Sequence, residues 1–323
     1  MKYGIIGAGA MGYRYGVMLQ ENAGVTVDFI ETWEPNIKQV RQQGGVKVAR
    51  DHANQHIVPI NIYTPEDYTG HPDVWIIFKK QMQLADELKR DAHLFHEDQY
   101  VFSAMNGMGH FEKIADYFPA TQIIGGTAMI ATVLTGPGAV DFMGPVGSET
   151  MHMSKYAGEM DATTRNVMAD FKAAQLNPIW SDNFMGMCLS KVVFNAVTNS
   201  LCTMFELQMG QFIEYPGVKA MATQLFNEAY DACERAGIKL IETRQAEIDS
   251  VETVSHAYKY HYPSMYQDFS NGRPTEVDYI NGYIAKLGRE HDYVCRVHEF
   301  VTQEVHLAEM MRQYKQPAVP VQV

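Results

Sequence analysis

The chain has 323 residues, 46% of them apolar and 20% charged, the composition of a soluble globular protein with room for two cores. Its 26 Lys and Arg stand against 38 Asp and Glu, a formal charge of −12, and that field repels phosphate backbones and anionic lipid, so neither nucleic acid nor a membrane surface is an expected partner. No run of about 18 apolar residues occurs, which excludes a membrane-spanning helix.

The opening Met1-Lys2-Tyr3-Gly4-Ile5-Ile6 carries no basic segment, apolar signal core or cleavage site, so no export signal is read. Residues 3–6 predict a short buried strand, followed at once by Gly7-Ala8-Gly9-Ala10-Met11-Gly12 and by helical periodicity from Tyr13 to Gln20. Strand, tight turn and helix in this order are what the G-x-G-x-x-G dinucleotide fingerprint requires. Gly7 permits the turn, Gly9 lets the backbone approach a pyrophosphate, Gly12 lets helix and strand pack, and the helix N-terminus faces the phosphates. The strand at Val25–Ile30 ends at Glu31, nineteen residues after Gly12, where a carboxylate accepts from adenosine ribose hydroxyls and opposes a 2′-phosphate. NAD(H) is therefore favoured over NADP(H). The other reading of Glu31 is a solvated acid at a strand end, and Arg41 on the next helix keeps the cofactor question open.

Further buried strands are predicted at Asp73–Phe78, ending in Lys79-Lys80, and at Tyr100–Met105, ending in Asn106-Gly107-Met108-Gly109. Ligands of open parallel sheets bind beyond the carboxyl ends of the strands, which is where Lys80 and Asn106 fall. As plainer alternatives, lysine pairs at strand ends are commonly solvated and Asn-Gly is commonly only a turn. Ile123–Met129 predicts another strand, and Thr135-Gly-Pro-Gly138 a turn before an antiparallel segment. This alternation makes residues 1–180 a parallel-sheet α/β domain of the Rossmann type.

After a helix at Asp161–Gln175 and a strand at Pro178–Trp180, helical periodicity dominates, so residues 181–323 are expected to form a mostly α-helical domain. Helices are predicted at Met185–Phe205, Val218–Ala236, Thr275–Glu290 and Arg296–Tyr314. The tail Gln316–Val323, with its prolines, is expected to fray. Within the first helix Lys191, Asn195 and Asn199 recur every four residues, and at about 3.6 residues per turn they share one face. Two readings of this stripe are open: a pocket whose polar ligand supplies the partners, or the wet side of an amphipathic helix. Farther on, Thr275 is expected to cap a helix with Glu276 and Asp278 in its first turn. Alternatively, Ser264, Arg273 and Glu276 gather a hydroxyl, a guanidinium and a carboxylate around a helix entrance, an arrangement that grips a small polar acid. Cys188, Cys202, Cys233 and Cys295 are scattered without Cys-x-x-Cys, which predicts reduced thiols in a cytoplasmic protein, and the histidines lack metal-ligand spacing, so no metal is expected.

Taken together, Gly7-x-Gly9-x-x-Gly12, Lys80, Asn106-Gly-x-Gly109, Lys191-x-x-x-Asn195-x-x-x-Asn199, Ser264-Met-x-Gln-Asp268 and the run through Glu276 to Asn281-Gly282 resemble the ketopantoate reductase (2-dehydropantoate 2-reductase) family and the related NAD-dependent D-2-hydroxyacid dehydrogenases. The resemblance implies reduction of a 2-oxo acid to the (R)-2-hydroxy acid by hydride from NAD(P)H. It implies that Lys191 is the general acid and that Glu276 bonds Lys191 or the substrate hydroxyl as well as serving the cofactor. Asn195 and Asn199 would hold substrate oxygens, Ser264 the carboxylate, and Asn106 would bridge nicotinamide and substrate. Gly7 to Gly12, Glu31 and Lys80 would bind the dinucleotide. The chain departs from the family pattern at Leu189, where members often carry Trp, and in Asp141-Phe-Met-Gly144, which lacks the family histidine. Glu31 stands where NADP-dependent members commonly place a basic residue. The apolar C-terminal helices favour a homodimer. Two rival readings are a dehydrogenase of the 3-hydroxyacid or 6-phosphogluconate type, which also pairs a Rossmann domain with Lys-x-x-x-Asn, and a sensing module that holds NAD without turnover.

Overall fold

The computed structural model describes residues 1–147 and 150–314, so the proline-bearing tail beginning at Gln316 lies outside the described residues. The chain forms two compact units. The first comprises Met1–Met105 and Gly109–Phe184, and the second comprises Asn106–Met108 together with the described residues from Met185 onward.

In the first unit the strands are β1 (Lys2–Ile6), β2 (Thr26–Ile30), β3 (Val46–Arg50), β4 (Ala53–Val58), β5 (Asn61–Tyr63), β6 (Val74–Ile77), β7 (Tyr100–Ser103), β8 (Ile123–Met129), β9 (Thr132–Gly136), β10 (Ala139–Phe142), β11 (Thr150–Lys155) and β12 (Pro178–Trp180). Interleaved helices are α1 (Ala10–Ala23), α2 (Glu34–Gln43), α3 (Leu84–Asp91), α4 (His110–Ala115) and α5 (Ala162–Ala173). The main sheet has eight strands in the order β12-β11-β8-β7-β6-β1-β2-β5, parallel except where β11 runs against β8. A second sheet, β4-β3-β10-β9, contains the antiparallel pair expected around the Thr135–Gly138 turn, but its strands β3 and β4 were not anticipated. It is hard to read from sequence because β4 is exposed along almost its whole length and so lacks apolar alternation, while β3 pairs in parallel with a strand nearly a hundred residues away.

The glycines explain how β1 and α1 meet. A Cβ on Gly12 would lie 2.0 Å from the Gly7 carbonyl oxygen, so only glycine lets the helix start this close to the turn. Gly7 itself adopts φ +103°, and a Cβ there would lie 2.2 Å from the Phe78 carbonyl oxygen. Below the turn, Tyr3, Ile5, Tyr15, Phe29, Ile76, Phe102, Val167 and Phe171 close the core between sheet and helices. Removing any of these aromatics would cost about 3–5 kcal/mol.

The helical unit consists of α6 (Phe184–Met204), α7 (Met209–Ile213), α8 (Val218–Arg235), α9 (Arg244–Ala257), α10 (Ser264–Ser270), α11 (Asn281–Glu290) and α12 (Arg296–Met311). One predicted helix is corrected. The segment from Thr275 makes a 3-10 turn at Val277–Tyr279, breaks at Ile280 (φ −113°, ψ −88°), and becomes α-helical only at Asn281. Thr275 is no cap: its hydroxyl lacks a hydrogen-bond partner, and its N–H donates to Glu309 Oε1 at 2.6 Å. Among the described residues, no helix is long and apolar enough to cross a membrane.

Candidate active site

The glycine turn is held by side chains outside it. Glu31, at the end of β2 and 7% exposed, accepts from the Ala8 N–H through Oε2 (2.9 Å) and from the Thr32 and Trp33 N–H groups through Oε1 (2.7 and 2.9 Å). It is therefore no solvated strand-end acid. Three of its roughly four acceptor positions are taken by backbone, which leaves one for a ribose hydroxyl. Nothing lies within 4 Å of a Cβ placed on Gly9, so this face of the turn is open, and Ala10 and Met11 begin α1 with its positive dipole end. These features fit a dinucleotide pyrophosphate. Lys80 is partly buried in the turn after β6, two residues beyond the Phe78 carbonyl that touches Gly7, while neighbouring Lys79 is taken by Glu87 at 3.3 Å.

The remaining predicted residues belong to the helical unit. Lys191, Asn195 and Asn199 all lie on α6; Lys191 and Asn195 are partly buried and Asn199 is 7% exposed, so the stripe is not a wet outer face. Burial pushes the Lys191 ammonium down to about 8, against the opposing influence of Cys188 and Glu276. Desolvation outweighs the pull of the carboxylate.

Ser264 opens α10, and its hydroxyl accepts from Asn106 Nδ2 at 3.3 Å. Asn106 is held there by the backbone after it, since the Met108 N–H donates to the Tyr279 carbonyl at 2.9 Å. Gly107 (φ +77°) passes so close to Tyr279 that a Cβ would lie 2.7 Å from its carbonyl oxygen. Arg273 does not join this group. Its Nε bonds Asp268 at 2.9 Å.

Residues to which the sequence reading gave no role hold these groups in place. Asn281 Nδ2 donates to the Ala196 carbonyl of α6 (2.9 Å), and its Oδ1 accepts from Ser200 (2.5 Å), fixing the lysine-bearing helix to the start of α11. The segment carrying the 6%-exposed Glu276 is braced by α12, where Glu309 takes the Thr275 N–H and His306 lies 2.9 Å from Asp278 and 3.2 Å from Glu309. Burial alone would lower the His306 imidazole; the two carboxylates outweigh it and raise it. Neither brace has a spacing that singles it out in sequence. Among the described residues no group of three or more His, Cys, Asp or Glu side chains is placed to hold a metal ion.

Comparison with known proteins is consistent along the chain. Residues 3–158 match the family model described as ketopantoate reductase PanE/ApbA, and residues 183–309 match that of its C-terminal region. The 2-dehydropantoate 2-reductase of Lactococcus lactis subsp. lactis is 29% identical over 321 residues, 98% of this chain and 100% of the relative. That of Streptococcus pyogenes serotype M18 is 30% identical over 312 residues, 94% and 97% of the two chains. Among solved structures, a D-mandelate dehydrogenase bound to NADH and anilino(oxo)acetate superposes with a TM-score of 0.90 at 29% identity, covering 97% of this chain and 100% of that one.

Proposed function

The chain belongs to the ketopantoate reductase family, and from that premise we propose that it is an NADH-dependent D-2-hydroxyacid dehydrogenase in which Lys191 is the proton donor. Its general activity is that of an NAD(P)-dependent oxidoreductase that reduces a 2-oxo acid to a 2-hydroxy acid. The reduced nicotinamide supplies the hydride. Lys191 gives its proton to the carbonyl oxygen as negative charge develops there, so one ammonium acts as general acid and as electrostatic stabiliser. An ammonium brought down to about 8 by burial is better matched to this task near neutral pH than an ordinary lysine, and the observation that carries the reading is that Lys191, Asn195 and Asn199 share one helix with none of them on a wet outer face. Asn195 and Asn199 bond substrate oxygens, Ser264 receives the substrate carboxylate with Asn106 bonded behind it, and Glu276 keeps Lys191 oriented.

NADH is favoured by Glu31, whose buried carboxylate repels a 2′-phosphate where a ribose hydroxyl would be accepted. The neighbour bound to anilino(oxo)acetate, an aryl 2-oxo acid derivative, supports a substrate with an aromatic or branched side chain. Reduction of 2-dehydropantoate to pantoate is the second reading, supported by the similarity to the reductases of L. lactis and S. pyogenes. Four buried cysteines outside any disulfide favour the cytoplasm. A homodimer is supported by Phe300, Leu307 and Tyr314, each more than half exposed and spaced by sevens along α12 and its extension. The deciding experiment measures oxidation of NADH and NADPH with a panel of 2-oxo acids from 2-dehydropantoate to branched and aromatic members. Lys191→Ala should lower kcat by about 10²- to 10⁴-fold while cofactor binding persists. Unchanged turnover in that variant would refute the proton-donor role, and no turnover of any 2-oxo acid by the wild type would refute the function.

A further inference from the structure

Asn36 is a fully buried amide in the first turn of α2, five residues beyond Glu31. Its Nδ2 donates to the Ala8 carbonyl at 2.9 Å, and its Oδ1 accepts from the Tyr13 hydroxyl at 2.9 Å and from the Gly138 N–H at 2.7 Å. Glu31 grips the same alanine from its other side by accepting from the Ala8 N–H. Both backbone polar groups of Ala8 are thus fixed by side chains from elsewhere. A peptide is planar and trans, so the Ala8 carbonyl and the Gly9 N–H point in opposite directions from one rigid plane, and a bond on the first sets the aim of the second. Gly9 is the position whose Cβ direction is open.

Gly138, the second of the two residues between β9 and β10, is itself pinned. Its carbonyl accepts from Gln43 Nε2 at 2.7 Å and from the Lys47 N–H at 2.8 Å, so the turn of the small sheet cannot drift from α2 without breaking buried bonds. We propose that Asn36 is a positioning residue for the reaction: it orients the Ala8–Gly9 peptide toward the cofactor pyrophosphate and links that orientation to the β9–β10 turn. The inference rests on the reading that the glycine turn holds the dinucleotide.

The test uses Asn36→Asp, which keeps the side-chain shape. An ionised aspartate still accepts from Tyr13 and Gly138 but cannot donate to the Ala8 carbonyl, whereas the protonated acid can, and burial brings that titration up toward the neutral range. Binding of NADH by full-length protein is followed by its fluorescence from about pH 5 to 9, beside steady-state kinetics. The expected result is an affinity near wild type at the acid end and about tenfold weaker at the alkaline end, with kcat at saturating cofactor within about twofold of wild type. The wild type should show no such step. A purely structural amide would move the melting temperature without making cofactor affinity depend on this proton. Asn36→Ala should bind weakly at every pH; if it does not fold, Asn36→Asp decides alone. Wild-type binding with Asn36→Asp affinity within twofold of it throughout would overturn the inference by itself. A wild type that bound neither NADH nor NADPH would overturn the proposed function and this inference together.

Discussion

The titration of Lys191 offers a two-sided prediction. Burial holds this ammonium at about 8, compared with 10.5 for an ordinary lysine. Reduction needs the protonated form, so kcat/KM for the 2-oxo acid should be flat at neutral pH and fall tenfold per pH unit above about 8. At pH 9 only about a tenth of the enzyme would carry the proton, where a lysine at its usual value would be almost fully charged, so the burial alone predicts close to a tenfold loss. Oxidation of the 2-hydroxy acid by NAD⁺ needs the neutral amine to accept a proton, so its kcat/KM should rise through the same midpoint. The assay is nicotinamide absorbance in both directions, at subsaturating acid and saturating cofactor. Opposite limbs crossing near pH 8 would fit; midpoints near 10.5, or limbs of the same sign, would refute the assignment of Lys191 as the group that exchanges the proton.

Three further outcomes are expected. Glu31→Arg should shift the ratio of NADH to NADPH efficiency toward NADPH and weaken NADH binding as well, because the Ala8 N–H loses its acceptor; an unaltered ratio would mean that Glu31 only builds the turn. Glu247, buried in the first turn of α9, has its carboxyl pushed up to about 7 by desolvation. A folded-state value raised above the unfolded one makes this group's contribution fall as pH rises from about 4.5 to 7, so Glu247→Gln should stabilise the protein by up to about 3 kcal/mol at pH 8 and hardly at all at pH 4.5, read by thermal unfolding at both. Leu307→Glu should turn a dimer into a monomer in sedimentation analysis, and a wild type already monomeric at micromolar concentration would dispose of the apolar stripe on α12 as an interface.

Much of the N-terminal unit was legible because its signals are steric and local. Gly7 and Gly12 are required by carbonyl groups two ångströms away, and the buried strands Val74–Ile77 and Tyr100–Ser103 are continuous apolar runs with polar ends. Of the small sheet only the turn between β9 and β10 was legible, since β4, exposed on both faces, has no alternation to read. In the helical unit the periodicity of α6 and α8 was clear, but α9 and α10 were missed. The break at Ile280 was missed too. The bond from Arg273 to Asp268 was not read either, because it forms across the turn after α10. Asn36 carries no local mark at all. Its importance is a matter of what lies at the other ends of its three hydrogen bonds.

The chain passes between its two units three times, at residues 105–106, 108–109 and 184–185, because the tripeptide Asn106–Met108 packs with the helices. A gene fragment beginning at Met185 would therefore encode a helical piece stripped of the carboxamide that donates to Ser264 and of the amide that meets the Tyr279 carbonyl. Grafting the helical half of one such reductase onto the nucleotide half of another, as a way of exchanging substrates, would have to carry these three residues along with the recipient's helices, although they lie some eighty positions upstream in the primary structure.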